Sequence, residues 1–133
     1  MTKSKETTIL IVEDEAAQRK PLADELRDEG FRVLTAQNGQ EGLELALREH
    51  PDLILLDILM PVMDGLTMMK KMRETNLWGK QVPIILLTNL SANEEKMMQA
   101  ITRDEPAFFL VKSDWTLQDV VSKIKERLAQ NID

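Results

Sequence analysis

The stretch DLILLDILMPVMDG, Asp52 to Gly65, begins as a continuous apolar run, ends that run on a carboxylate, Asp57, and then turns through Pro61 and Gly65. A short run without polar alternation suits a strand covered on both faces. Three more runs share this character: TILIV (Thr8 to Val12), VPIILLT (Val82 to Thr88) and AFFLVK (Ala107 to Lys112). A weaker one, FRVLTA (Phe31 to Ala36), makes a fifth strand. Helical spacing fills the intervals, with helices expected at about Ala16 to Glu29, Gln40 to Glu49, Leu66 to Glu74, Ala92 to Thr102 and Leu117 to Gln130. The last is clearest: Leu117, Val120, Val121, Ile124 and Leu128 follow the i, i+3, i+4, i+7 rule behind an N-cap candidate, Thr116. Pro21 removes one hydrogen bond from the first helix, which is therefore either kinked or regular only from about Pro21. Strands alternating with helices predict an α/β fold, a doubly wound parallel sheet with helices on both faces.

At 133 residues the chain has the size of one domain, with 1–133 expected as a single unit and its core at about 8–129. A net charge of -6 is the wrong sign for a phosphate-binding surface, so direct nucleic-acid binding is not expected. The absence of cysteine excludes disulfides and thiolate sites, and a single histidine, His50, cannot form a histidine metal cluster. No apolar run approaches the ~20 residues of a membrane span, and the N-terminus is polar rather than a signal peptide. A cytoplasmic protein without membrane insertion is expected. The polar start and the tail AQNID after the last helix favour a stand-alone chain.

In an open parallel sheet, ligands bind beyond the carboxyl ends of the strands. Here those ends carry Glu13 and Asp14 after the first strand, Asp57 on the third, Thr88 on the fourth and Lys112 on the fifth. Three carboxylates about 4 Å apart repel by roughly 4 kcal/mol per pair at an effective dielectric near 20, so a cation is expected among them. Two or three carboxylates plus a carbonyl suit Mg²⁺, which retains waters and accepts phosphate oxygens as co-ligands. Lys112 adds a fixed positive charge. Taken singly, Glu13, Asp14, Glu15, Asp57 and Thr88 would each serve as helix caps, and Lys112 as a surface charge. Their joint occurrence at four strand ends favours one site. Pro61 and Gly65 shape the loop that carries the chain away from Asp57.

These residues resemble the receiver domain of bacterial two-component response regulators, of the chemotaxis single-domain type, over Thr8 to about Ala129. The carriers are Glu13 and Asp14, the DILMPVMDG loop from Asp57 to Gly65, PIILLT ending in Thr88 and FLVK ending in Lys112. The resemblance implies a flavodoxin-like, five-stranded sheet in the order 2-1-3-4-5 with five helices. It implies Asp57 as phosphoryl acceptor from a histidine kinase or phosphotransfer protein. Asp14, Asp57 and the main-chain carbonyl of Leu59 become Mg²⁺ ligands, with Glu13 helping through water. Lys112 and Thr88 then contact the phosphoryl group, and Thr88 with Phe109 forms the switch. That switch reshapes the face made by the fourth expected helix, the fifth strand and the fifth expected helix. This face would meet an unknown downstream protein and admits a homodimer. The domain would catalyse only its own phosphoryl transfer and slow autodephosphorylation, so it is not expected to be an enzyme in the wider sense.

Some positions depart from the family pattern. Ser113 follows Lys112 where proline is usual, and Asn89 follows Thr88 where a small residue is usual. Leu59 and Leu90 occupy positions that tune dephosphorylation, and their apolar character predicts slow hydrolysis. An aspartyl-phosphate phosphatase of the haloacid dehalogenase type would need a second aspartate where Leu59 stands. A pseudo-receiver acting as a constitutive interaction domain is the alternative, opposed by the intact Asp14, Asp57, Thr88 and Lys112. Met68, Met69, Met72, Met97 and Met98 read as core, Trp115 as core or partner anchor, Trp78 in the polar loop NLWGK as a lid on the preceding helix, and His50 as a capping or surface residue.

Overall fold

Five parallel strands form one sheet in the order β2-β1-β3-β4-β5: β1 (Thr8–Val12), β2 (Arg32–Ala36), β3 (Leu53–Asp57), β4 (Ile84–Thr88) and β5 (Ala107–Val111). The computed structural model describes residues 6–88, 107–111 and 115–129, with position 99 as an isolated addition; side chains at 88, 107, 109 and 111 are not among those described. Among the described residues the helices are α1 (Ala16–Asp28), α2 (Gly39–Glu49), α3 (Gly65–Thr75), a short α4 (Leu77–Gln81) and α5 (Leu117–Ala129). The helix expected at Ala92 to Thr102, and Asn89, Leu90, Met97, Met98, Lys112 and Ser113, lie outside the described residues.

Successive residues of a strand point to opposite faces, and this sorts the inner strands between two cores. Leu10, Val12, Ile54, Leu56, Ile84 and Leu86 pack with Met68, Met69 and Met72 of α3 on one face. Ile9, Ile11, Leu53, Leu55, Ile85 and Leu87 pack with Leu22 and Leu26 of α1 and Val120, Val121 and Ile124 of α5 on the other. With both faces covered, neither set of positions accepts a polar residue, which is why the strands read as unbroken apolar runs. Burial of each such side chain contributes about 2 kcal/mol, enough to offset the ~1–2 kcal/mol cost of ordering its backbone.

The first helix is one element from Ala16, with Pro21 inside it, so its regular part does not wait for the proline. The polar loop expected at NLWGK is instead helical. Asn76 caps it by accepting from the Gly79 amide at 2.7 Å, and Arg73 donates to the Gly79 carbonyl at 2.8 Å. Trp78 packs on the first core, which includes Met68, Met69 and Met72 of the preceding helix, and its indole stacks on His50 with ring centroids 4.4 Å apart. His50 ends α2 in the left-handed region, at φ 47°. Met68, Met69 and Met72 are core residues, and Trp115 packs against the second core.

Candidate functional site

Strand register brings the acidic residues together before any side chain is considered. Val12 pairs with Leu56, so the residues that follow, Glu13 and Asp57, leave adjacent strands at the same edge. Glu13, Asp14 and Asp57 each offer a carboxylate oxygen, and these three oxygens lie within 4.8 Å of one another. Glu13 and Asp57 are buried, at 0% and 4% exposure, while Asp14 reaches solvent. At that spacing two like charges repel by about 3–4 kcal/mol at an effective dielectric near 20. A hard divalent cation bound by oxygen is the natural counterweight, and the all-carboxylate donor set fits Mg²⁺ better than a softer metal.

Among the described residues, the N-caps of α1 and α3 are residues other than these three. The N-cap of α1 is Glu15, which makes no side-chain cap hydrogen bond. The N-cap of α3 is Asp64, whose side chain accepts from the Thr67 amide at 2.8 Å, so the capping role left open for Asp57 belongs to a residue further on. Glu13 does accept from the Glu15 amide, at 3.3 Å, which orients its carboxylate within the β1–α1 turn.

The loop after Asp57 is held at both ends. Its last residue, Gly65, donates to the Ile58 carbonyl at 2.8 Å, and a Cβ there would collide with the carbonyl oxygen of Asp57. Glycine is required by this close approach rather than by an unusual φ. Gly39 makes a similar approach to the Met63 carbonyl, tying the start of α2 to the same loop. Within the loop, Met60 and Met63 pack against the first core, whereas Leu59 and Val62 are 58% and 81% exposed. The Met63 amide donates to the Pro61 carbonyl at 2.7 Å across Val62, whose φ is 70°. This is a γ-turn, and a β-branched residue rarely holds that angle.

One residue escaped the sequence reading. Arg19, the fourth residue of α1, turns its guanidinium back to the β1–α1 turn and donates to the carbonyls of Glu13 at 2.8 Å and Asp14 at 3.4 Å. No apolar spacing or motif marks an arginine that folds back on its own turn. Of the other expected residues, Thr88 ends β4 beside Asp57, since Asp57 pairs with Leu87 and Thr88 with Val111. Phe109 pairs with Leu86 in β5. The side chains of Thr88 and Phe109, and Lys112 altogether, lie outside the described residues.

The sequence pattern of the response regulator receiver domain matches residues 9–125. The chain belongs to the response regulator receiver family. It is 36% identical over 130 residues to the transcriptional regulatory protein ResD of Bacillus subtilis, covering 96% of this chain and 50% of that protein. The chain spans about a third to a half of the length of the curated relatives it matches. Among solved structures, this receiver superposes on chemotaxis protein CheY4 of Vibrio cholerae with a TM-score of 0.81 at 29% identity, covering 92% of this chain and 98% of that one. It superposes equally well, at a TM-score of 0.81 and 26% identity, on the receiver domain of a sensor histidine kinase from Pseudomonas aeruginosa, covering 94% and 99% of the two chains. That structure holds a magnesium ion coordinated in its active site cleft. Among the described residues of this receiver, no helix is long and apolar enough to cross a membrane.

Proposed function

We propose that this receiver is a phosphorylation-controlled signalling module in which Asp57 accepts a phosphoryl group from a phosphohistidine on a partner kinase or phosphotransfer protein. The observation that carries the reading is the approach of Glu13, Asp14 and Asp57 to within 4.8 Å at the carboxyl edge of the sheet. Asp14, Asp57 and the Leu59 carbonyl would hold Mg²⁺, with Glu13 acting through a bound water. When bound, the ion neutralises charge on the transferring phosphoryl oxygens.

The chain's own residues do the rest. A carboxylate oxygen of Asp57 forms a bond to phosphorus as the phosphorus–nitrogen bond breaks, and the departing imidazole keeps the electron pair and a proton. The Gly65 approach and the Ile58 hydrogen bond hold the Asp57 backbone still, so that the transfer is chiefly a matter of positioning. Lys112 pairs with a phosphoryl oxygen, and the Thr88 hydroxyl turns toward the new group, a placement supported by its position beside Asp57 on the adjacent strand. With Phe109 following Thr88, the added charge shifts the population of the face formed by segment 92–102, β5 and α5. An unidentified downstream protein reads that face, which also suits a homodimer. We take residues 1–133 as one receiver unit acting in the cytoplasm, catalysing only its own phosphoryl transfer and a slow dephosphorylation.

The test is intact mass after incubation with phosphoramidate, with and without Mg²⁺, on the wild type and on Asp57→Asn. A phosphoryl adduct that needs both Mg²⁺ and Asp57 is expected. Absence of the adduct in the wild type would contradict the reading and favour a constitutive pseudo-receiver.

A further inference from the structure

Resting on that reading of the acidic site, we propose that Arg19 is a positioning residue for it, holding the carboxylates of Glu13 and Asp14 in place through their own main chain. The turn between β1 and α1 is three residues long, Glu13 to Glu15, and two of the three supply the acidic oxygens. A turn so short and so charged needs fixing, because its carboxylates repel one another and the turn can relieve that repulsion by swinging outward. The usual device would be a side-chain cap on α1, and Glu15 makes none.

Arg19 supplies the missing connection from the helix side. Its Nη1 donates to the Glu13 carbonyl at 2.8 Å and the Asp14 carbonyl at 3.4 Å, while its own amide donates to the Glu15 carbonyl at 2.9 Å. The Glu13 amide donates to the Ala36 carbonyl at 3.1 Å, anchoring the turn from the β2 side. Every residue of the turn is thus held through its carbonyl by Arg19, and the acidic side chains are left facing the site. Arg19 needs no contact with metal or phosphoryl group to do this.

The sign of one measurement separates this role from a plain electrostatic one. A guanidinium near a cation site repels the cation, so removing it would tighten Mg²⁺ binding if charge were all that mattered. If Arg19 positions the ligands, removing it weakens Mg²⁺ binding despite the loss of repulsion. Calorimetric titration of Mg²⁺ into the wild type, Arg19→Lys and Arg19→Ala is the experiment. Arg19→Ala should bind Mg²⁺ about tenfold more weakly, the scale typical of losing a group that orients metal ligands, with Arg19→Lys in between. The rate of phosphorylation by phosphoramidate should fall at low Mg²⁺ in Arg19→Ala and return to the wild-type rate at saturating Mg²⁺, which a general structural defect would not allow. If Arg19→Ala does not fold, a weakened but saturable Arg19→Lys carries the same expectation. Equal or tighter Mg²⁺ binding by the folded variants overturns the role of Arg19 alone. A wild type that binds no Mg²⁺ overturns the reading of the site, and this role with it.

Discussion

Asp57 sits at the end of a strand whose other residues avoid water, and the structure shows what that position demands of its neighbours. Gly65 is the most constrained of them, since any side chain there meets the Asp57 carbonyl. Gly65→Ala should lower stability by about 2–3 kcal/mol, read as a lower urea midpoint with an unchanged slope, and should weaken Mg²⁺ binding because the displaced atom belongs to Asp57. Leu59, two residues beyond Asp57 and exposed, offers no hydrogen bond to a water attacking an acyl phosphate. The phosphorylated protein should therefore persist well beyond seconds, and Leu59→Gln should shorten its lifetime; a wild-type half-life of seconds would contradict this. Arg19 is the residue-scale feature that sequence did not disclose, because its partners are carbonyls and carbonyls are not written in a sequence.

Elements were legible in proportion to how much of their surface is buried. The strands announced themselves because both faces are covered: β1 at Thr8–Val12 and β3 at Leu53–Asp57 fall within a residue of where the apolar runs place them. The last helix was legible from its stripe and its cap. Thr116 accepts from the Asp119 amide at 3.2 Å while Asp119 accepts from the Thr116 amide at 2.8 Å, a reciprocal pair. Thr116→Ala should cost about 1 kcal/mol in urea unfolding. The helix Leu77–Gln81 was not legible, since five residues are too few to show a period, and its stability comes from Trp78 on the core and from the Asn76 cap. At the outer strand, hydrogen bonds from Arg32 and then Arg48 hold the Glu49 carboxyl below its ordinary value of 4.5. A depressed value means the link stabilises above that pH and is lost as pH falls through the folded value, with a small effect because the group is exposed.

The sheet gathers three like charges at one edge of a chain whose net charge is already -6. Mg²⁺ at a hundredfold excess over its dissociation constant should add about 2.7 kcal/mol, a rise in Tm of roughly 10 °C by calorimetry. Asp57→Asn should be more stable than the wild type without Mg²⁺, because one repelling charge is gone, and should gain far less from the ion. The acidic edge was legible in sequence because it lies at strand ends, which the apolar runs locate; that the N-caps of the following helices are Glu15 and Asp64 rather than the acids of that edge was not. On this mechanism the acyl phosphate forms on Asp57 itself. Borohydride reduces an aspartyl phosphate to an alcohol, so trapping the protein after phosphoramidate and Mg²⁺ and mapping its peptides by mass locates the modified residue. Conversion of Asp57 to homoserine is the predicted result; conversion at Asp14 or Glu13, or at no residue of a protein shown to carry phosphate, would contradict it.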